Sequence, residues 1–355
     1  HNEFFRYMVD RLRELGASHI KVFGGGGGTI TPEEIADLMA YGVERLYHPH
    51  DGMELGLQAM IEDLVARTQA NRRLSYVPES SASLVEIAAM ISSIEEGVFD
   101  DAQLASLRKE WQVRAGKVPV IGITGTGGAG KSSVTDEILN RMLSSFSDKR
   151  IAVLAVDPTR RRTGGALLGD RIRMNSLRSD RIYMRSIATR RQHLATSEML
   201  GDHIAYLKSQ GFDLVIVETA GIGQSDSEIV DMVDYSVYVM TSEYGAASQL
   251  EKIDMLDFAD LVVLNKYDKR GAEDALRDIR KQWKRNHLAF DTPDEVVPVY
   301  PSIASQFNDP GISWMFVELC RRVAEKVGLD KDEWSPDIDT SIGEPRATAT
   351  IPGAR

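Results

Sequence analysis

The run Gly125-Thr126-Gly127-Gly128-Ala129-Gly130-Lys131-Ser132 constrains the fold of this chain more than any other feature. It matches G-x-x-x-x-G-K-[ST], a loop whose backbone N–H groups converge on phosphate oxygens. That convergence works where a strand delivers the loop and a helix leaves it, so that the helix dipole also faces the anion. Residues 118–123, just upstream, are an apolar run of the kind buried in a parallel sheet. Similar runs at residues 151–156, 214–217, 236–240, 261–264 and 296–300 continue a β/α alternation. The spacing predicts a doubly wound α/β domain over residues 117–328.

Upstream, an amphipathic helical pattern (Phe5, Met8, Val9, Leu12, Leu15) ends at Gly16. The chain starts at His1 without an initiator methionine, which reads as a fragment boundary. Residues 19–23 and 43–47 read as strands, 24–28 as a glycine loop, and 32–40 and 53–68 as helices. This order implies a second α/β unit with a parallel sheet over residues 1–69. Leu84, Ile87, Met90, Ile91 and Ile94 have helical spacing, so residues 70–116 read as a helical linker. Residues 329–355 turn polar and Pro/Gly-containing and read as an exposed linker arm.

Composition supports two cores, with 43% hydrophobic residues over 355 positions. The net charge of −11 argues against a nucleic-acid partner, because affinity for a polyanion comes from clustered Lys and Arg. A single cysteine, Cys320, allows no internal disulfide and no Cys cluster for zinc, which fits a reducing cytoplasm. No apolar run approaches the roughly 18 residues of a membrane helix, so no membrane span is expected. His48-Pro49-His50 reads as an edge loop before it reads as a metal site.

Within the phosphate loop, the backbone at Gly127, Gly128, Ala129 and Gly130 is expected to hold phosphate oxygens. Lys131 would reach the β and γ phosphates, and Ser132 would bind Mg²⁺. Asp157 ends the next apolar strand, which brings it to the same sheet edge as a candidate catalytic and metal residue. Asp170 and Arg173 follow a polar, glycine-rich stretch within one helical turn of each other. Either they serve Mg²⁺ and a phosphate respectively, or they form a solvated ion pair. Glu218 follows the strand at 214–217 and opens Glu218-Thr219-Ala220-Gly221-Ile222-Gly223-Gln224. Its reach allows it to bind the metal or orient water there, Thr219 is a further candidate at the metal, and Thr219 and the backbone at Gly221 would sense the γ-phosphate. Gln224 is either a water-positioning group or a surface amide.

Asn265-Lys266-Tyr267-Asp268 follows the strand at 261–264 and matches N-K-x-D. A carboxylate at Asp268 accepts from guanine N1–H and N2–H₂, a donor pair that adenine lacks. Adenine would leave that carboxylate unpaired at a cost of about 1–3 kcal/mol. Ser302, after the next strand, is either a base-contacting residue or part of a plain turn.

Asp157-Pro158-Thr159, the Thr163-Gly164-Gly165 and Leu168-Gly169-Asp170 elements, and the run from Glu218 to Gln224 together resemble the SIMIBI-class metallochaperone GTPases. The resemblance is to the branch serving adenosylcobalamin-dependent mutases. Residues 245–256, starting Gly-Ala-Ala-Ser-Gln-Leu, are similar to the fused isobutyryl-CoA mutases, in which one chain carries cobalamin-binding, GTPase and mutase parts. They depart from the Gly-Asp-Glu-Leu-Gln pattern of the standalone chaperones. The resemblance implies Mg²⁺-dependent GTP hydrolysis to GDP, gating adenosylcobalamin loading of a fused acyl-CoA mutase, which is an isomerase, and protecting it. The partner implied is that mutase domain, in a homodimer. Residues 1–68 are similar to the second half of a cobalamin-binding domain, whose glycine element would be Gly24, Gly25 and Gly26; a flexible turn is the alternative for these glycines. A nickel-insertion GTPase shares the Glu-Thr-x-Gly element but normally carries a His-rich or Cys-containing tract, which this sequence lacks. An ATP-using enzyme or a module that binds nucleotide without turnover shares the phosphate loop, and nucleotide competition and single-turnover assays separate these.

Overall fold

The buried runs assemble into a parallel sheet because both of its faces carry apolar side chains that only flanking helices can cover. A computed structural model describes residues 2–25, 30–70, 83–158, 174–189, 193–219, 230–244 and 255–345. By their contacts the residues divide into two units, His1–Pro78 with Val85–Val98, and Glu79–Leu84 with Phe99–Arg355.

In the first unit the described elements are α1 (Asn2–Glu14), β1 (Phe23–Gly25), α2 (Pro32–Tyr41), β2 (Arg45–Tyr47), α3 (Pro49–Glu54), α4 (Gly56–Ala70) and most of α5 (Leu84–Glu95). β1 and β2 pair in parallel with Phe23 opposite Arg45. Val9, Val22, Leu38, Val43 and Leu46 form the core. Thr31 and Glu34 cap α2 reciprocally and Pro32 fills its first turn, which is why the chain turns into a helix there. The single helix predicted for 53–68 is two, separated at Gly56, whose φ of +72° leaves the helical region. His48 is the N-cap of α3: its Nδ1 accepts from the His50 N–H, and Asp51 accepts from the His48 N–H. A Cβ on Gly24 would lie 2.6 Å from the side chains of both Leu46 and Phe5, so this glycine has a packing reason to be small.

The second unit contains α6 (Asp101–Arg114), β3 (Val120–Gly125), α7 (Lys131–Ser145), β4 (Ile151–Pro158), β5 (Ile182–Thr189), α8 (His193–Lys208), β6 (Leu214–Thr219) and β7 (Tyr235–Met240). It continues through α9 (Met255–Phe258), β8 (Leu261–Leu264), α10 (Ala272–Asn286), β9 (Val299–Pro301) and α11 (Pro310–Val327). The seven strands are all parallel, in the order β5-β4-β6-β3-β7-β8-β9. Strand alternation sorts the side chains into two layers. Val237, Val239, Leu261 and Val263 join one core with residues of α7 and α11. Tyr238, Met240, Val262 and Leu264 join the other with residues of α9 and α10.

Three expectations change in this unit. β5 is absent from the sequence-predicted strands; it is an edge strand pairing only with β4, and Arg185 and Ser186 interrupt its apolar run. The segment after residue 328, read as exposed arm, keeps most of residues 330–337 exposed but is anchored on the core at a few side chains. Trp334 is buried beside the Phe146 ring, with Leu329 and Ile338 against the same cluster, because one large aromatic surface outweighs the polar character of its neighbours. α6, placed in the predicted linker, joins this unit by a bidentate ion pair from Arg108 to Asp202 of α8 (2.6 and 2.8 Å) and by Trp111 on Tyr206. Gly26, residues 159–173 with Asp170 and Arg173, residues 220–229 with Gln224, and residues 245–254 fall outside the described residues.

Cys320 lies inside the α11 side of the core, and burial pushes its thiol pKa up to about 12. A thiol held neutral and covered is a poor nucleophile. Iodoacetamide at pH 8 should therefore leave native Cys320 unmodified and label it fully in denaturant. Rapid native labelling would contradict the docking of α11.

Candidate functional site

Every strand of the larger sheet points its carboxyl end at one edge, and the predicted motifs gather there because each directly follows a strand. β3 lies between β6 and β7, with Ile123 opposite Glu218 and Gly125 opposite Val239. The glycine at 125 is a steric requirement, since a Cβ there would sit 1.9 Å from the Val239 carbonyl oxygen. The following N–H, of Thr126, donates to that same oxygen at 3.2 Å. The loop is thus pinned to β7 as it leaves β3.

Lys131 begins α7 and is buried; its Nζ donates to the carbonyls of Gly125 and Thr126, both at 3.0 Å. One residue on, the Ser132 hydroxyl donates to Glu218 Oε1 at 2.6 Å, and Glu218 is buried at the end of β6. Two hard oxygen donors therefore meet beside a helix N-terminus. That donor set fits Mg²⁺, which takes one or two protein oxygens and completes its shell with water and phosphate. Among the described residues no group of three or more His, Cys, Asp or Glu forms a self-sufficient metal cage. Thr219, the next residue, turns the other way: its hydroxyl donates to Thr124 of β3 at 2.9 Å inside the sheet. Asp157 stands at the carboxyl end of β4, at this same edge; its side chain lies outside the described set.

The N-K-x-D segment is stitched to the phosphate loop. Asn265 Nδ2 donates to the Ala129 carbonyl at 2.8 Å, and its Oδ1 accepts from the Ser302 hydroxyl at 3.2 Å and from the Ala304 N–H at 3.0 Å. Lys266, with φ of +57°, extends its Nζ to the Gly128 carbonyl at 2.8 Å. The second glycine that sterics demand is here: a Cβ on Gly130, φ +91°, would approach Asn265 Nδ2 to 2.5 Å. Tyr267 is half-buried, its N–H bonded to the Ser302 carbonyl, and Asp268 is exposed in the turn after β8. Ser302 itself is fully buried and braces Asn265 from behind through its hydroxyl.

A cavity of about 330 Å³ opens along this edge, lined among others by Ser132, Ser133, Asp136, Asn175, Ala304 and Phe307. Sequence reasoning passed over Asp136 and Phe307. Asp136 lies four residues after Ser132, a spacing that puts both on one helix face, and this signal was available in the sequence. Phe307 carried no such signal.

A phosphate loop, a serine–carboxylate pair at its helix start and an N-K-x-D turn bonded to its carbonyls define a phosphate-loop nucleotide-binding α/β protein of the GTPase type. The family described as methylmalonyl-CoA mutase-associated GTPase MeaB matches residues 87–341, and the chain belongs to it. It is 49% identical over 366 residues to the fused isobutyryl-CoA mutase of Geobacillus kaustophilus and 51% identical over 361 residues to that of Cupriavidus metallidurans. Both comparisons cover 100% of this chain and 33% of the relative, so the chain spans about a third of the length of these relatives. It is also 37% identical to the GTPase ArgK of Escherichia coli over 149 residues, 42% of this chain and 44% of that one. No helix among the described residues is long and apolar enough to cross a membrane.

Replacing Asn265 by Ala removes three hydrogen bonds and leaves the Ala129 carbonyl and Ala304 N–H to find other partners in a buried site. The expected loss is about 2–4 kcal/mol of stability, together with weakened nucleotide binding. Urea unfolding with and without GDP measures both; an unchanged midpoint would show that the amide does not couple the two motifs.

Proposed function

We propose that this chain hydrolyses GTP in a Mg²⁺-dependent reaction and that the GTP state gates adenosylcobalamin loading of an acyl-CoA mutase. The observation that carries the first half is the direct bonding of Asn265 and Lys266 to the carbonyls of Ala129 and Gly128, which sets the base-reading turn at a fixed place beside the phosphate loop. Asp268, three residues further on, selects guanine by accepting from its N1–H and N2–H₂. The loop N–H groups from Gly127 to Lys131 and the start of α7 hold phosphate oxygens. Lys131 exchanges a loop carbonyl for β and γ oxygens. Ser132 and Glu218 would hold Mg²⁺, with Asp157 and Asp170 contributing from the neighbouring segments and Arg173 facing a phosphate. Bound Mg²⁺ supplies charge neutralisation across the β and γ oxygens.

The second half rests on family membership, on the names of the full-length relatives, and on the resemblance at residues 245–256. In this reading residues 1–69 belong to a cobalamin-binding domain, 70–116 link it to the GTPase domain at 117–328, and 329–355 lead toward the mutase, in a cytoplasmic homodimer. The mutase converts isobutyryl-CoA to n-butyryl-CoA. Gating requires that the cofactor site differ in energy between nucleotide states, and a coupling of about 1–3 kcal/mol changes cobalamin affinity roughly 5–150-fold. Reciprocity makes cobalamin change nucleotide affinity by the same factor.

Asp268→Asn replaces an acceptor carboxylate with a mixed donor–acceptor amide. GTP binding should weaken at least about tenfold relative to xanthosine triphosphate. Competition titrations read this directly, and an unaltered base preference removes the guanine assignment. For the coupling, cobalamin affinity of the full-length protein is measured with GDP and with a non-hydrolysable GTP analogue, in the unaltered protein and in Lys131→Ala. Equal affinities in the unaltered protein would leave the GTPase without a gating role.

A further inference from the structure

Asp136 is the carboxylate that the described mechanism leaves unused, and its surroundings are specific. It projects from the second turn of α7, one turn after Ser132. Its Oδ1 accepts from the Ser176 N–H at 3.0 Å and from the Ser176 hydroxyl at 2.6 Å, while Oδ2 accepts from the Asn175 N–H at 3.1 Å. These donors open a single 3-10 turn, Ser176–Arg178, whose own N-cap side chain makes no capping bond. A carboxylate from another helix therefore does the capping. Around it the strand-free segment is fastened: Met174 is buried in the core on the α7 side, Ser176 is buried, and Leu177 packs against the same core.

The clamp also shapes the site. Asp136, Met174 and Asn175 line the same 330 Å³ cavity as Ser132 and Ser133 at one end and Ala304 and Phe307 at the other. The cavity lies between the phosphate-loop helix and the loop that braces Asn265. Its lining runs from Ser132 to Ala304, whose N–H bonds Asn265, so a nucleotide reaching from the phosphate loop toward the N-K-x-D turn would pass beside this wall. We propose that Asp136 is a positioning residue for nucleotide binding: by fixing the Asn175–Ser176 backbone to α7 it sets the width of the cleft in which the nucleotide sits. This rests on the reading of the site as a GTP site. Both carboxylate oxygens are engaged by the Asn175–Ser176 segment, so a role exerted through the cleft wall would act on affinity, felt equally by bound substrate and transition state.

The test uses the 355-residue chain and three variants, Asp136→Ala, Asp136→Asn and Ser176→Ala. Asp136→Ala removes all three bonds to the carboxylate. Asp136→Asn keeps an acceptor for Ser176 but turns an N–H toward the Asn175 donor, and Ser176→Ala removes the hydroxyl alone. Loss of charge-assisted bonds at the clamp should raise KM for GTP and the dissociation rate of fluorescent GDP roughly tenfold in Asp136→Ala, with kcat within about twofold. The other two variants should move the same quantities in the same direction by less. The melting temperature is measured without nucleotide in all four chains. A folded Asp136→Ala with unchanged KM and GDP dissociation overturns the proposal. So does a lowered melting temperature with a lowered kcat while KM and GDP dissociation stay unchanged, which would make the residue structural only. If Asp136→Ala does not fold, the two milder variants decide, and unchanged KM in both overturns it. An unaltered chain that binds no GTP overturns the site reading as well, and that failure is seen before any variant is made.

Discussion

The amide of Asn265 is the contact on which the rest of the site depends. This side chain bonds at once to the phosphate loop, through Ala129, and to the loop after β9, through Ser302 and Ala304. Base recognition and phosphate recognition are separate chemistries, and a nucleotide reads as one ligand only if the distance between them is fixed. A bidentate-capable amide with one donor and one acceptor face suits that task better than a carboxylate or an ammonium, which offer only one kind of partner. Gly130 is the counterpart of this choice: any side chain there would displace the amide, so the loop's last glycine belongs as much to the N-K-x-D contact as to the phosphate.

Such a fixed distance needs a rigid base, and the sheet provides it. Four of the strands nearest the site, β3, β6, β7 and β8, are buried at every position, with helices on both faces. Residues held from two sides have few ways to shift, because a packed core has few voids to absorb movement. The functional groups then sit on the last residues of the strands, as at Glu218, or on the first beyond them, as at Asn265. This division explains why Glu218 and Thr219, adjacent in sequence, have opposite engagements. Alternation sends one carboxylate toward Ser132 and the next hydroxyl sideways to Thr124.

Legibility from sequence followed the same division. The phosphate loop, the N-K-x-D turn and the central strands were readable because each is a local pattern with a local cause: glycines where backbone approaches backbone, unbroken apolar runs where a strand has helices on both sides. β5 was not readable, because an edge strand needs apolar residues on fewer positions and its Arg185 and Ser186 break the run. Trp334 was missed for the converse reason, since its burial is decided by Phe146, far away in the chain. Ser302 reads from sequence as either a base contact or a turn, whereas the bond of its hydroxyl to Asn265 is a tertiary fact that no local pattern carries. Asp136 shows the limit most clearly. Its helical spacing from Ser132 was visible, whereas its three donors come from residues 39 and 40 positions away, Asn175 and Ser176.

The bonding within the site bears on how a nucleotide enters it. Lys131 is bonded to two carbonyls of its own loop, and Ser132 to Glu218. These three side chains, which a phosphate or a cation would use, are already part of hydrogen bonds in the protein. Binding is then an exchange of partners, and its net energy is the difference between bonds of similar kind, far smaller than the gross strength of any one. In such a site, affinity is governed by how well the surroundings hold the geometry into which the ligand exchanges. That places the energetic weight on the bonds that hold the site's geometry, Asn265 bracing the loop from one side and Asp136 holding the opposite wall.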